Sequence, residues 1–191
     1  MSNHQSQPEI HKPVIKLRSE KGVDYTVLQT LLADEKWKEA DMKTNCLMRQ
    51  AAGNEGGYVW LNRLLLQDLP CEDLRIIDQL WLYYSKGKWG FRVQMEIYHD
   101  LGGKIDVEVG QRLWGQFSEQ VGWSINDPGN WEHSNLVAWQ QGDSWPERIC
   151  NLNAPRGHFP LWCLPTALGF PKWGLNMFYF AEKLVTCEIG K

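Results

Sequence analysis

The chain contains 191 residues, 43% of them hydrophobic, and its formal net charge is −3 at pH 7. This length allows one hydrophobic core, and without any run of Lys or Arg the chain is not expected to bind nucleic acid. Its five cysteines are odd in number and far apart, which favours reduced thiols in an intracellular protein over a disulfide framework or a zinc site. Because no stretch of about 18 apolar residues could span a bilayer, we expect a soluble protein.

The first 20 residues are polar, contain Pro8 and Pro13, and show no sustained apolar period. We therefore predict a flexible N-terminal arm over residues 1–20 and a single helical domain over residues 21–191. The two histidines of the arm are not expected to bind a metal.

Apolar residues at three- and four-residue spacing predict two helices after the arm, joined as a hairpin. The first follows Asp24, whose side chain suits an N-cap. The second begins near Asp34 and ends at Gly53. Residues 58–66 would then form either a short helix or a packed connector.

Residues 70–94, which read PCEDLRIIDQLWLYYSKGKWGFRVQ, predict a helix, an aromatic turn and the start of another helix. Glu72 and Asp73 place negative charge at the positive end of the first helix, and the Ser-Lys-Gly sequence at residues 85–87 ends it. Glu72 and Asp73 are therefore better explained by the helix dipole than by acid–base chemistry.

In the aromatic turn, Gly90 separates Trp89 from Phe91. The two rings are either core anchors that close a helix hairpin or one wall of a site for a flat ligand. Since Gly90 has no side chain, a flat molecule or another part of the backbone could approach closely there.

Three more helices are predicted, from about Phe91 to Gly102, over residues 107–121 and over residues 175–185. Strand-like alternation is scarce, so we predict an all-α fold. Between Trp123 and Trp173 the helical period fails, and six of the eleven tryptophans and six of the nine prolines lie there. This composition is typical of long, irregular, aromatic-rich loops.

Motifs for catalysis are missing from the sequence: it contains no glycine-rich phosphate loop, no H-E-x-x-H and no G-x-S-x-G. His99 beside Asp100 is better explained as a solvated helix end, because no nucleophile lies nearby in the sequence. We therefore expect a binding protein and not an enzyme, with no resident metal.

Many fixed rings with a few cations suit a large, flat, apolar ligand that bears acid groups. The candidate cations are Lys88, Arg92, Arg148 and Arg156. His158 could act as an axial ligand to a chelated metal, or it could hold its loop by a hydrogen bond to the backbone.

Residues 70–94 resemble the signature of the genomes-uncoupled-four family, the porphyrin-binding regulators of magnesium chelatase, which typically reads PCEDLRTIDxLWxxYSNGRFGFSVQ. Four further stretches are similar to family segments: LQTLLADEKWKEADMKT, VGW, APRGHFP and VTCEI, at residues 28–44, 121–123, 154–160 and 185–189. This chain departs from the family pattern where Trp89 and Phe159 replace the usual phenylalanine and leucine.

The resemblance implies a helical core shaped like a cupped hand, whose apolar palm receives protoporphyrin IX or magnesium-protoporphyrin IX. It also implies that the protein stimulates magnesium chelatase through the large subunit, in the cytosol of a cyanobacterium or in a plastid stroma, with peripheral membrane association as a further expectation. The alternative is a haem or bilin sensor of the same family without chelatase coupling. A metal-dependent enzyme that uses His158 is a third, less favoured interpretation.

Together with the candidate cations and neighbouring tryptophans, the positions that match the family define a predicted palm. Two loops carry most of it, the turn around Gly90 and the loop around His158, which would have to meet in space. The predicted palm comprises Lys88, Trp89, Phe91, Arg92, Val93, Trp131, Trp145, Arg148, Pro155, Arg156, His158, Phe159 and Trp162.

Overall fold

The computed structural model describes residues 15–54, 63–123, 152–161 and 173–190. All regular secondary structure in these ranges is helical, which confirms the all-α prediction, and none of these helices is both long and apolar enough to cross a membrane. The helices are α1 (Thr26–Ala33), α2 (Trp37–Ala51), α3 (Arg63–Asp68), α4 (Cys71–Tyr84), α5 (Phe91–Asp100), α6 (Val107–Gln120) and α7 (Trp173–Thr186).

Local chemistry sets the helix ends much as the sequence predicts. The carboxylate of Asp24 accepts a hydrogen bond from the Thr26 amide at 2.9 Å, but the N-cap of α1 is Tyr25, so the predicted cap lies one residue too early. Helix α4 begins after Pro70, whose backbone is extended, and ends where Lys86 and Gly87 both take positive φ values of 57° and 79°. Of the stretch predicted as a short helix or a packed connector, residues 58–62 lie outside the described ranges, and residues 63–68 form a six-residue helix.

An aromatic cluster of Trp37, Trp81, Trp89 and Phe159 forms the centre of the core. The Trp81 and Phe159 rings stack with their centroids 5.4 Å apart, and Trp89 meets both Trp37 and Phe159 edge-on at 5.0 Å. The indole N–H of Trp81 donates to the Thr44 hydroxyl at 3.0 Å, so this buried donor is satisfied. The cluster therefore joins α2, α4, the aromatic turn and the loop around His158.

The described end of the predicted arm lies against the core. Ile15 and Leu17 pack on it, and the hydroxyls of Ser19 and Tyr25 both donate to the carboxylate of Asp73. Burial, reinforced by the negative charge of Asp73, raises the pKa of Tyr25. Asp73 thus fixes the chain entering α1, in addition to lying in the first turn of α4.

The prediction that the cysteines are all reduced thiols is wrong for two of them. Cys71 and Cys187 form a disulfide with their Cα atoms 5.0 Å apart, although 116 residues separate them in the sequence. The fold brings the first residue of α4 next to the residue that follows α7, and sequence spacing carries no information about such proximity. Cys46 is a free, exposed thiol.

Candidate functional site

The structure brings the two segments of the predicted palm into direct contact. The Gly90 amide donates to the Phe159 carbonyl at 3.0 Å, and the Gly157 amide donates to the Lys88 carbonyl at 3.0 Å. The indole N–H of Trp89 donates to the Pro155 carbonyl at 2.9 Å. The aromatic turn and the segment of residues 152–161, called here the anchored loop, are therefore one packed unit.

Side chains from several helices satisfy the backbone of the anchored loop. Gln94 of α5 donates to the carbonyls of both Gly157 and Pro160, at 3.0 and 2.8 Å, and Trp123 donates to the His158 carbonyl at 2.8 Å. The carboxylate of Asp41 in α2 accepts from the Leu161 amide at 2.6 Å. An irregular segment can be buried only with such partners, because unpaired backbone groups are costly in an apolar core.

The aromatic residues of the predicted palm face the core. The side chains of Trp89, Phe91 and Phe159 are 0% exposed, and that of Val93 is 2% exposed. Phe91 packs edge-on against Phe180 of α7 at 5.1 Å. Trp89 and Phe91 therefore act as core anchors in this structure, which is the first of the two alternatives given above. None of these rings presents a face to solvent.

Helix α4 lies in close contact with the backbone of Gly90. Its φ of 133° is unfavourable for residues with a side chain, and a Cβ there would lie 2.9 Å from the Asp78 carboxylate and 3.2 Å from Leu82 Cγ. The space that the missing side chain leaves is therefore filled by α4.

His158 is fully buried, and its Nδ1 lies 2.7 Å from the Val121 carbonyl. Since a carbonyl can only accept, Nδ1 carries the proton and donates it. Burial lowers the pKa of His158 to about 4, so the ring is neutral near pH 7. This hydrogen bond joins the anchored loop to the end of α6, and among the described residues no group of His, Cys, Asp or Glu is arranged to hold a metal ion.

Three of the candidate cations already have partners within the chain. Lys88 donates to the Leu152 carbonyl, Arg156 pairs with Glu96, and the Arg92 guanidinium lies 3.4 Å from the buried carboxylate of Asp78. Burial raises the pKa of Asp78 to about 6, with the Arg92 amide and charge opposing the rise.

Of the remaining predicted residues, Pro155 is exposed. The other four lie outside the described ranges: Trp131, Trp145, Arg148 and Trp162.

A groove of about 270 Å³ between α3 and α7 was not predicted from the sequence. Leu66 forms a buried part of its floor, and the Arg63 guanidinium lies 5.1 Å from the centroid of the Tyr179 ring. The Lys183 ammonium donates to the Gln67 carbonyl at 3.1 Å, across the two helices. The groove is lined by Arg63, Leu66, Gln67, Tyr179, Glu182, Lys183 and Thr186.

The groove carries charges of both signs, with Arg63 and Lys183 as its cations, Glu182 as its anion and the Tyr179 ring as an apolar face. Burial lowers the pKa of Lys183, while the charges of Asp68 and Glu20 oppose that shift. A half-buried ammonium beside a guanidinium gains from an added negative charge, and the tyrosine ring offers an apolar face. One sequence signal could have indicated the groove. Four of its lining residues recur at helical spacing on one side of α7: Tyr179, Glu182, Lys183 and Thr186.

These features define an all-helical domain in which side chains hold a long irregular loop against the core. The chain belongs to the GUN4-like family, whose model matches residues 18–168, and the resemblance seen in the sequence is thereby confirmed.

Relatives and solved structures agree with this assignment. The chain is 34% identical over 152 residues to the ycf53 protein of Porphyra purpurea, covering 78% of this chain and 55% of that one. It is 28% identical over 119 residues to the chloroplastic tetrapyrrole-binding protein of Arabidopsis thaliana, covering 54% of this chain and 44% of that one. It thus spans about half the length of the curated relatives it matches.

Two solved structures share the fold. The GUN4 structure from Chlamydomonas reinhardtii has a TM-score of 0.58 at 26% identity, with 86% of this chain and 92% of that chain covered. The ligand-free GUN4 structure from Arabidopsis thaliana has a TM-score of 0.57 at 21% identity, with 87% and 97% covered.

Proposed function

We propose that this chain is a tetrapyrrole-binding regulatory protein that performs no catalysis itself. Membership in the GUN4-like family and the name of the Arabidopsis relative support the ligand class. The observation that carries the proposal is the groove between α3 and α7, where two cations and an aromatic ring surround an apolar floor. A tetrapyrrole is flat and apolar and bears carboxylates at one edge, so its chemistry complements these groups.

The size of the groove limits how the ligand would lie. Its volume of about 270 Å³ is below the roughly 300–1,000 Å³ of pockets that enclose a small molecule. The groove therefore holds one edge of the macrocycle, with a carboxylate between Arg63 and Lys183 and a pyrrole ring against Tyr179. Glu182 lines the same groove and repels any ligand carboxylate, so the attraction of Arg63 and Lys183 has to exceed that repulsion.

The predicted palm supplies a second candidate surface, on the outer side of the anchored loop. The side chains of Arg92 and Arg156 are 46% and 48% exposed, and Pro155 is exposed as well. A ligand carboxylate would have to compete with Asp78 and Glu96 for these arginines, which makes this surface the weaker candidate.

For the particular ligand and partner, we propose protoporphyrin IX or magnesium-protoporphyrin IX and the large subunit of magnesium chelatase. This protein would stimulate the chelatase by presenting porphyrin, in a cyanobacterial cytosol or a plastid stroma, with peripheral membrane association. The alternative is a haem or bilin sensor without chelatase coupling. A pull-down with the large chelatase subunit distinguishes the two, because only the first function requires that contact.

Titration of the protein with protoporphyrin IX, its magnesium form, haem and biliverdin tests the proposal through tryptophan fluorescence. We expect saturable quenching by at least one of them. Tyr179→Ala and Arg63→Ala should each weaken that ligand about tenfold, which is about 1.4 kcal/mol, whereas Tyr179→Phe keeps the ring and should bind as the wild type does. If none of the four ligands gives saturable quenching, the proposed function is wrong.

A further inference from the structure

We infer that the Cys71–Cys187 disulfide is a redox-sensitive clamp on the groove between α3 and α7. This inference rests on the proposed function for its effect on ligand affinity, but its effect on the protein itself can be measured without any ligand. The reductant is expected to be a protein or small molecule that carries two thiols.

The position of the disulfide relative to the groove carries the inference. Cys71 follows groove residue Gln67 by four positions, and Cys187 directly follows groove residue Thr186. One wall of the groove ends close to the first cysteine and the other wall ends at the second. The covalent bond therefore ties the first residue of α4, three positions after the end of α3, to the residue that follows α7, so the segments that continue from the two walls are tethered to each other.

The residues that follow α7 are held on the core side, whereas the hydrogen bond across the groove lies on the solvent side. Ile189 is buried, and Gly190 packs so closely on α5 that a Cβ there would lie 2.7 Å from Met95 Cβ. Across the groove, the Lys183–Gln67 hydrogen bond is exposed. Without the disulfide, the end of α7 keeps its core contacts, and we expect the exposed Lys183–Gln67 hydrogen bond to open more often.

The two sulfurs differ in access, and this difference determines the order of the reaction. Cys187 is fully buried, whereas Cys71 is only partly buried. A thiolate of the dithiol attacks Sγ of Cys71, and Cys187 leaves as a thiolate and takes up a proton. The second thiol of the reductant then attacks its own mixed disulfide and releases Cys71, so that the reductant is oxidised to a disulfide and the protein gains two electrons and two protons.

The experiment compares the air-oxidised full chain with the same chain in excess dithiothreitol. Peptide mapping after alkylation of free thiols should find residues 71 and 187 linked only in the oxidised sample. Hydrogen exchange should then be faster at residues 182–190 in the reduced sample, with α2 unchanged. Protoporphyrin IX should bind the reduced protein roughly fivefold to a hundredfold more weakly.

Two variants serve as controls. Cys71→Ala places a good helix former at a partly exposed helix start, so it should fold, behave as the reduced wild type and no longer respond to dithiothreitol. Cys46→Ser changes the exposed free thiol and should respond as the wild type does.

Failure to find the linked peptide, or equal exchange at residues 182–190 in both samples, overturns the clamp. Equal affinity in the two samples overturns its control of the groove. If porphyrin binds neither sample while the exchange differs, the proposed function is wrong and the clamp stands.

Discussion

The anchored loop and the groove between α3 and α7 differ in what they present to solvent. The loop contains glycine, proline and large rings, but its rings are buried and its carbonyls are bonded to Gln94, Trp123 and Trp89. The groove is made of ordinary helix residues, yet it exposes an aromatic face next to two cations. Among the described residues, types typical of binding loops therefore form part of the core, while the surface proposed for the ligand is made of helix residues.

Tryptophan is well suited to the positions that pack in this core. An indole combines a large apolar area with one N–H donor, so Trp89 can fill the core and still satisfy the Pro155 carbonyl. Trp81 and Trp123 act in the same way toward Thr44 and the His158 carbonyl.

The largest expected effect is on stability, and it compares a buried ring of the aromatic turn with an exposed side chain of the anchored loop. Trp89→Ala removes a fully buried ring that contacts Trp37, Trp81 and Phe159, so it should lower the free energy of unfolding by about 4 kcal/mol. Arg156→Ala, on the exposed side of the anchored loop, should change it by less than about 0.5 kcal/mol. Urea denaturation measures both changes. If Trp89→Ala lowers the free energy of unfolding as little as Arg156→Ala does, the Trp89 ring is not a core anchor.

A smaller loss of stability is expected from the disulfide. Cys71→Ala opens a covalent loop that spans 116 residues of sequence, and it should lower the free energy of unfolding by about 3 kcal/mol. The difference from the wild type should vanish when both proteins are unfolded in excess reductant. If it persists there, the loss comes from the side chain at residue 71 and not from the disulfide.

The pH dependence of stability tests the attachment of the anchored loop to α2. Burial raises the pKa of Asp41 to about 7, with the hydrogen bond from Leu161 opposing the rise. A carboxyl whose pKa is higher in the folded than in the unfolded state stabilises fully below the unfolded value, near 4, and loses that contribution as the pH rises through 7.

Asp41→Asn keeps an oxygen that can accept from Leu161 but removes the titration. Relative to this variant, the wild type should lose about 2 kcal/mol of stability between pH 5 and pH 8. Asp78 and His158 titrate in both proteins, so their contributions cancel in the comparison. A difference between wild type and variant that stays constant across this pH range would show that Asp41 does not titrate there.

Prediction from the sequence succeeded where the determinants are local. The ends of α4 follow from Pro70 and from the lysine and glycine after its last turn, whereas the predicted N-cap at Asp24 is off by one residue, because Tyr25 holds that position. These features act over three or four residues, so helical spacing and end chemistry are enough to find them.

Prediction was incomplete where residues far apart in the sequence meet. The donors and acceptors that bury the anchored loop belong to α2, α5 and the end of α6, and the walls of the groove come from residues 63–67 and 179–186. Glycine and proline indicate that a segment is irregular, but not which side of it faces the core. For the same reason the spacing of Cys71 and Cys187 could not reveal their bond.

Mapping ligand protection from hydrogen exchange compares the two regions in one measurement. With saturating protoporphyrin IX, we expect slower exchange at residues 63–67 and 179–186, which line the groove, and little change at residues 86–92 and 153–157, which form the outer edge of the predicted palm. Protection confined to residues 86–92 and 153–157, with the groove unchanged, would contradict the assignment of the ligand to the groove.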